Sequence, residues 1–301
     1  MNEIFDKLLL RIILTIFICL CILLYKYAHL LFYPSTRQQI IKSFYPTKNS
    51  ADTIHLFSRI IGIGIIYSEF YFHLSQGLFV ALLDFFLQST ITFTIYLSSL
   101  YILEQIVLFN FNYLDEVIKR KNIAYALLCF SLSISVAYII KKTLIISGDS
   151  IIIFLLIWLL SMVLLGFSTK TFPLYSKISF NKSIIQKDPA IAYSYIGFIW
   201  GWTLIISSSI QHEINDLKWY LIQVITKILL SLIFFPAFKI GLIWLFKLKF
   251  PLDSTGNKDE KLESQENLSL GIYEGILFFT SAFLTGIITG QIHFGTFYPV
   301  F

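Results

Sequence analysis

The sequence predicts an all-α polytopic membrane helix bundle of about eight transmembrane helices. Three observations carry this expectation. Apolar residues gather in runs of 17 or more, charged residues make up only 14% of the chain against 56% hydrophobic and 17% aromatic, and the runs show no period-two alternation. Crossing about 30 Å of hydrocarbon at about 1.5 Å per residue takes roughly 20 apolar residues in a helix. A membrane β-strand would instead alternate over about ten residues, and a soluble domain would carry about a quarter charged residues.

Spans are expected at 8–31, 54–74, 77–109, 122–141, 150–168, 189–210, 219–246 and 268–292. The first follows Lys7 and Arg11 and resembles a signal peptide. No small-x-small cleavage site comes after it, and Tyr25-Lys26-Tyr27 reads as an interfacial anchor, so it is expected to be a retained helix. Residues 35–48 mix Ile40, Ile41 and Phe44 with Arg37 and Lys42, as an interfacial amphipathic stretch would. A short turn at Ser75-Gln76-Gly77 joins the second and third spans, and 250–267 reads as a solvated polar loop.

Loop charge sets the orientation. The segments 26–53, 110–122, 168–188 and 247–267 hold fifteen Lys and Arg, whereas Lys7, Arg11, Lys141, Lys142 and Lys218 lie on the opposite face. Positive loops stay in the cytoplasm, which places both termini outside. The blocks expected from this are 1–53 (first helix and interfacial segment), helix pairs at 54–121, 122–187 and 188–249, the loop 250–267, and a final Gly-rich helix with its tail at 268–301.

The helix pairs repeat. Asn122-x-Ala124-x-Ala126-x4-Ser131-x3-Ser135 superimposes on Asp188-x-Ala190-x-Ala192-x4-Gly197-x3-Gly201, and upstream Ile118-x-x-Lys121 matches Ile184-x-x-Lys187. Looser copies start near Asp52 and at Asn267. Each pair begins and ends on the same side, so the repeats are parallel. Small residues have a physical reason in lipid, where close backbone approach replaces the hydrophobic drive between helices. Gly197 and Gly201, and the ribbon of Gly271, Gly275, Ala282, Gly286 and Gly290, are therefore read as helix-packing positions, with a homodimer seam on the last helix as the alternative.

This pattern resembles the bacterial membrane family catalogued as domain of unknown function 350, whose unit is a helix pair opening on an acidic residue or Asn, with spaced alanines and a Gly/Ser ladder. The likeness is strongest over residues 110–245. It implies an inner-membrane protein without known enzymatic activity, and a partner among envelope-stress proteins of the phage-shock type. The family defines no catalytic residues to carry over.

An ionised side chain at mid-bilayer costs about 2.5–3.5 kcal/mol on insertion scales, so each one needs a partner, water or a neutral form. Folding the second and third spans about their turn would bring Glu69 level with Asp84. Glu69 and His73 share one helix face and Asp84 and Gln88 another, with Thr92, Tyr96 and Ser99 extending the stripe. Glu69, His73, Asp84, Gln88 and the deeper Lys227 form a candidate ion or proton pathway, weighed against groups that merely reach the interface. Arg59 and Glu274 lie at similar depth and are expected to approach as a buried ion pair. Lys239, near a helix end, can snorkel.

Other classes find no support. H-E-x-x-H, G-x-S-x-G and Gly-rich phosphate loops are absent, so the expectation is no enzyme, no cofactor and no metal. Cys19, Cys21 and Cys129 lie in apolar runs and form no C-x-x-C motif. The net charge of +5 is scattered among loops rather than gathered in a stripe, which argues against nucleic acid. A non-enzymatic membrane scaffold is the first expectation and an ion or proton transporter the second.

Overall fold

The computed structural model describes residues 2–33, 49–70, 77–148, 150–176, 178–214, 216–248 and 260–292, and no strand occurs among them. The helices run α1 (Asn2–Phe32), α2 (Ser50–Tyr67), α3 (Leu78–Val107), α4 (Ile123–Ser147), α5 (Ile151–Tyr175), α6 (Phe180–Ile185), α7 (Pro189–Ile210), α8 (Leu217–Leu245) and α9 (Glu260–Gln291), with a π-helical turn at Leu114–Lys119. His73, turn residues 75–76, the interfacial segment 35–48, loop residues 250–259 and the tail 293–301 lie outside the described residues, and residues 260–267, expected within the polar loop, instead form the first turns of α9.

Among the described residues, seven helices are long and apolar enough to cross a membrane: α1, α3, α4, α5, α7, α8 and α9. The remaining long helix, α2, has 18 residues and carries Asp52, His55 and Arg59, which lower its hydropathy. It runs parallel to α4 along the same depth. Asn49 Nδ2 at its start donates to Val117 O at 2.8 Å, and Glu69 just past its end pairs with Lys141 Nζ at 2.7 Å.

The chain divides into two compact units, Met1–Lys141 and Lys142–Phe301. These units are larger than the expected helix-pair blocks, and the break between them falls near the end of α4, cutting the 122–187 block. Each unit has a peripheral–core–peripheral–core order of helices. In the first, 72% of the α4 window is buried against 22% for α1 and for α3; in the second, α7 is 78% buried and α8 17%. Outward faces carry large apolar residues such as Phe79 and Ile152, the composition lipid requires.

The repeat signature now has a mechanism. Asn49, Asn122 and Asp188 each precede a core helix and accept a hydrogen bond from a first-turn N–H, of Asp52 at 3.2 Å, Tyr125 at 3.3 Å and Ala190 at 2.9 Å respectively. These are N-caps, which satisfy donors that lipid cannot. The early copy therefore begins at Asn49 rather than near Asp52: Asn49-x-Ala51-x-Thr53-x4-Ser58-x3-Gly62 follows the same spacing. Lys121 and Lys187, each just before its cap, take φ of 52° and 60°. The left-handed residue reverses the chain into the helix, and the cap's own N–H bonds Glu116 O at 2.8 Å in one copy and Ser183 O at 2.9 Å in the other.

In the second unit α7 and α9 run parallel and touch through glycine. A Cβ on Gly197 would strike the Gly275 backbone, one on Gly271 the Ala190 backbone and one on Gly275 the Tyr193 carbonyl, while one on Gly201 would come within 2.6 Å of Ala282 Cβ. Gly286 and Gly290 pack less closely, with Ser208 atoms 3.4 and 3.3 Å from the added Cβ. The small-residue face of α9, read as a helix-packing face with a homodimer seam as the alternative, packs against α7 inside the chain.

Candidate functional site

Among the described residues, a concentration of buried polar groups lies in the first unit, at the end where α2 and α4 begin. Helical spacing builds it. Tyr25, His29 and Tyr33 recur every four residues along α1 and its end; Asp52, His55 and Arg59 share one face of α2. Tyr101 and Glu104 share a face of α3, and Tyr125 and Cys129 one of α4. His29, His55, Arg59, Glu104 and Cys129 are all buried.

Arg59 forms an ion pair with Glu104 Oε1, and its Nη1 donates to His55 O at 2.8 Å and Ser58 Oγ at 3.1 Å. Tyr33 OH donates to the other carboxylate oxygen, Glu104 Oε2, at 3.3 Å. Tyr113 OH donates to Asp52 Oδ1 at 2.8 Å. Burial, with the Asp52 carboxylate beside it, pushes the Tyr113 hydroxyl above its ordinary range, so it keeps its proton. That single proton goes to Asp52, so His29 Nε2, 3.2 Å away, is the donor to Tyr113. The result is a directed chain from His29 through Tyr113 to Asp52.

His55 lies beside both networks. Its Nε2 is 4.0 Å from Glu104 Oε2, and its ring is 4.6 Å from that of Tyr113 and 5.8 Å from that of His29. Among the described residues neither ring nitrogen of His55 has a hydrogen-bond partner, although the side chain is wholly buried. Donor atoms of His55, Glu104 and Cys129 lie within 4.8 Å of one another. A cavity of about 380 Å³, lined by Tyr33, Glu104, Asn110, Asn112, Tyr113 and Tyr125 among others, reaches this cluster from the loop that joins α3 to α4.

The sequence-derived pathway is not assembled this way. Glu69 pairs with Lys141, each about a quarter exposed. Asp84 and Gln88 are exposed, because the inward face of α3 runs through Ala81, Phe85, Ser89, Thr92, Tyr96 and Ser99, one residue out of phase with the expected start of the stripe. Thr92, Tyr96 and Ser99 do face inward, and Tyr96 OH wedges against Ser133 Oγ at 2.7 Å. Lys227 is buried on α8, where Ser231 donates to its carbonyl at 2.8 Å. Among the described residues no carboxylate lies within ion-pair distance of its ammonium.

The expected Arg59–Glu274 pair is corrected: the carboxylate on Arg59 is Glu104, and Glu274 Oε2 accepts from Ser176 Oγ at 2.7 Å and Ser194 Oγ at 2.8 Å. Two serine hydroxyls thus donate to this carboxylate. Lys239 donates to Tyr175 O at 2.8 Å and lies 4.7 Å over the Phe278 ring, tying α8 to the end of α5. Sequence reading missed Glu104, His29, His55, Cys129 and Tyr113. The available signal was polar residues at three- and four-residue spacing on four successive segments.

Fold and site define a polytopic helical membrane protein built of two units, each with four long helices. The chain belongs to the family described as Domain of Unknown Function (DUF350), whose model matches residues 4–144 and 146–288. The match thus extends beyond the 110–245 region, as two tandem copies, each with two core helices and two peripheral ones. No curated protein and no solved structure matches the chain.

Proposed function

We propose that this protein is a non-enzymatic scaffold of the bacterial inner membrane, serving an envelope-stress response through a cytoplasmic partner. The observation that carries the reading is the closed core of the second unit, where Gly197, Gly271 and Gly275 bring α7 and α9 into backbone contact and leave no room for a route between them. Lys and Arg concentrated at the ends where core helices begin support placing that face in the cytoplasm and both termini outside. The expected result in reconstituted vesicles is proton and cation flux equal to that of empty vesicles. Flux above that level would overturn the scaffold reading.

A second reading is an ion or proton transporter. It is favoured by one feature, the His29–Tyr113–Asp52 chain beside a cavity that reaches Glu104. Flux abolished by Tyr113→Phe, with Glu69→Gln and Asp84→Asn unaffected, would select it and place the pathway in the first unit.

A further inference from the structure

We infer that His55, Glu104 and Cys129 form a binding site for a borderline divalent transition ion of the Zn²⁺ class. Three helices supply the ligands, His55 from α2, Glu104 from α3 and Cys129 from α4, so no local motif in the chain announces the site. Bonds of about 2.0–2.3 Å in tetrahedral geometry put ligand atoms about 3.3–3.8 Å apart. Donor atoms that lie within 4.8 Å of each other reach that spacing by sub-ångström side-chain shifts.

A nitrogen, a thiol sulfur and a carboxylate oxygen together select Zn²⁺, or Co²⁺ as its probe, over the all-oxygen preference of Ca²⁺ and Mg²⁺. Three protein ligands leave a fourth position, and the cavity that Glu104 lines provides it.

The wholly buried His55 is the independent sign of a ligand. An imidazole with two nitrogens unpartnered among the described residues forgoes hydrogen bonds that a core position would ordinarily supply. A metal bond at Nε2 satisfies one of the two. The other ligand is already oriented: Arg59 holds Glu104 Oε1 and Tyr33 steadies Oε2, the atom that faces His55. Charge also closes. On binding, the Cys129 thiol releases its proton to solvent, and the ion together with the Arg59 guanidinium then faces three anions, Cys129, Glu104 and Asp52. The loaded cluster is neutral, as a low-dielectric site requires.

The second unit supplies an internal control. Six residues after the caps Asn49 and Asp188 stand His55 and Ser194, and seven residues after Asn122 and Asn267 stand Cys129 and Glu274. Ser194 and Glu274 touch at 2.8 Å. The same rung is filled there by a hydroxyl–carboxylate bond, and among the described residues no metal-ligand set stands there.

The test uses the full chain in detergent, stripped with chelator and then titrated with Zn²⁺ and with Co²⁺. Expected are one Zn²⁺ retained per chain, a thiolate-to-cobalt charge-transfer band, and binding at least about 10-fold weaker in Cys129→Ser and His55→Gln. Asp84→Asn, an exposed carboxylate, leaves binding unchanged. In a Cys19→Ser, Cys21→Ser background, Zn²⁺ slows alkylation of Cys129, a readout that needs no substitution in the site. Absence of retained Zn²⁺, wild-type affinity in Cys129→Ser, or alkylation indifferent to Zn²⁺ overturns the assignment.

Discussion

The two units answer the same structural question with different chemistry. Both are organised around a parallel pair of core helices, α2 with α4 and α7 with α9, and side-chain caps start α2, α4 and α7. In the first unit Tyr96 reaches between the pair, touching Ser133 and the Arg59 carbonyl, and the cap-proximal end holds an Arg59–Glu104 ion pair, two histidines and a thiol. In the second, glycines bring the backbones together and one buried carboxylate, Glu274, is met by two serine hydroxyls. Duplication has kept what lipid imposes on any such helix, a satisfied N-terminus and a small-residue contact face. It has left the polar rung near the caps free to diverge. The conserved part of the design is architectural, and the part that differs between copies is the place to look for function.

The sharpest way to break this comparison is to remove one carboxylate from each unit. Glu104→Gln leaves Arg59 as an uncompensated buried cation, an expected loss of about 3–5 kcal/mol. Adding Arg59→Met should recover most of it, because no uncompensated charge is then left buried. Glu274→Gln keeps an acceptor for the serine hydroxyls and should cost only about 1–2 kcal/mol. Denaturant titrations in mixed micelles, followed by helical circular dichroism, read both. Equal losses would mean that the two rungs are energetically alike despite their composition.

Much of the architecture was legible because its causes are local. Apolar runs of spanning length, the charge asymmetry of the loops and the spacing from Asn122 and Asp188 each depend on residues near one another in sequence. The site was not, because its parts are brought together by packing. Arg59 was seen to need a partner, but which carboxylate it meets depends on the rotation of α3, and one residue of phase puts Glu104 inside and Asp84 outside. Cys129 lies in an apolar run and carries no mark of chemistry until α2 and α3 are placed beside it. Depth alone pairs Glu274 with Arg59, whereas its neighbours Ser176 and Ser194 are too common in membrane proteins to signal a role.

The glycine contacts give the next test. Gly197→Ala must push α7 off the Gly275 backbone, an overpacking cost of about 1–3 kcal/mol. Gly241→Ala on α8 meets nothing within 4 Å and should stabilise by about 0.5–1 kcal/mol through helix propensity. In the first unit Gly62→Ala must move the packed Tyr96 ring, so it too destabilises, through a side chain rather than a backbone. A Gly197→Ala protein as stable as wild type would show that close approach of α7 and α9 is incidental, and would also weaken the scaffold reading built on it.

The smallest effects concern what the units share. Loss of a cap costs about 1 kcal/mol, so Asp188→Ala should fall near that value, and Asp188→Asn should change stability by only a few tenths, since both side chains accept from a first-turn N–H. Asn122 does more. Its Oδ1 accepts from Tyr125 N while its Nδ2 donates to Glu116 Oε2 at 2.7 Å, and the residue is fully buried. Asn122→Asp keeps the cap but turns a donor toward Glu116 into a second carboxylate, so it should destabilise by more than Asp188→Asn and do so less as pH falls and one of the two acids takes a proton. The same exchange read in opposite directions thus separates the role common to both caps from the one peculiar to Asn122. If both substitutions prove neutral at every pH, the Asn122–Glu116 bond contributes nothing, and capping alone accounts for the residue.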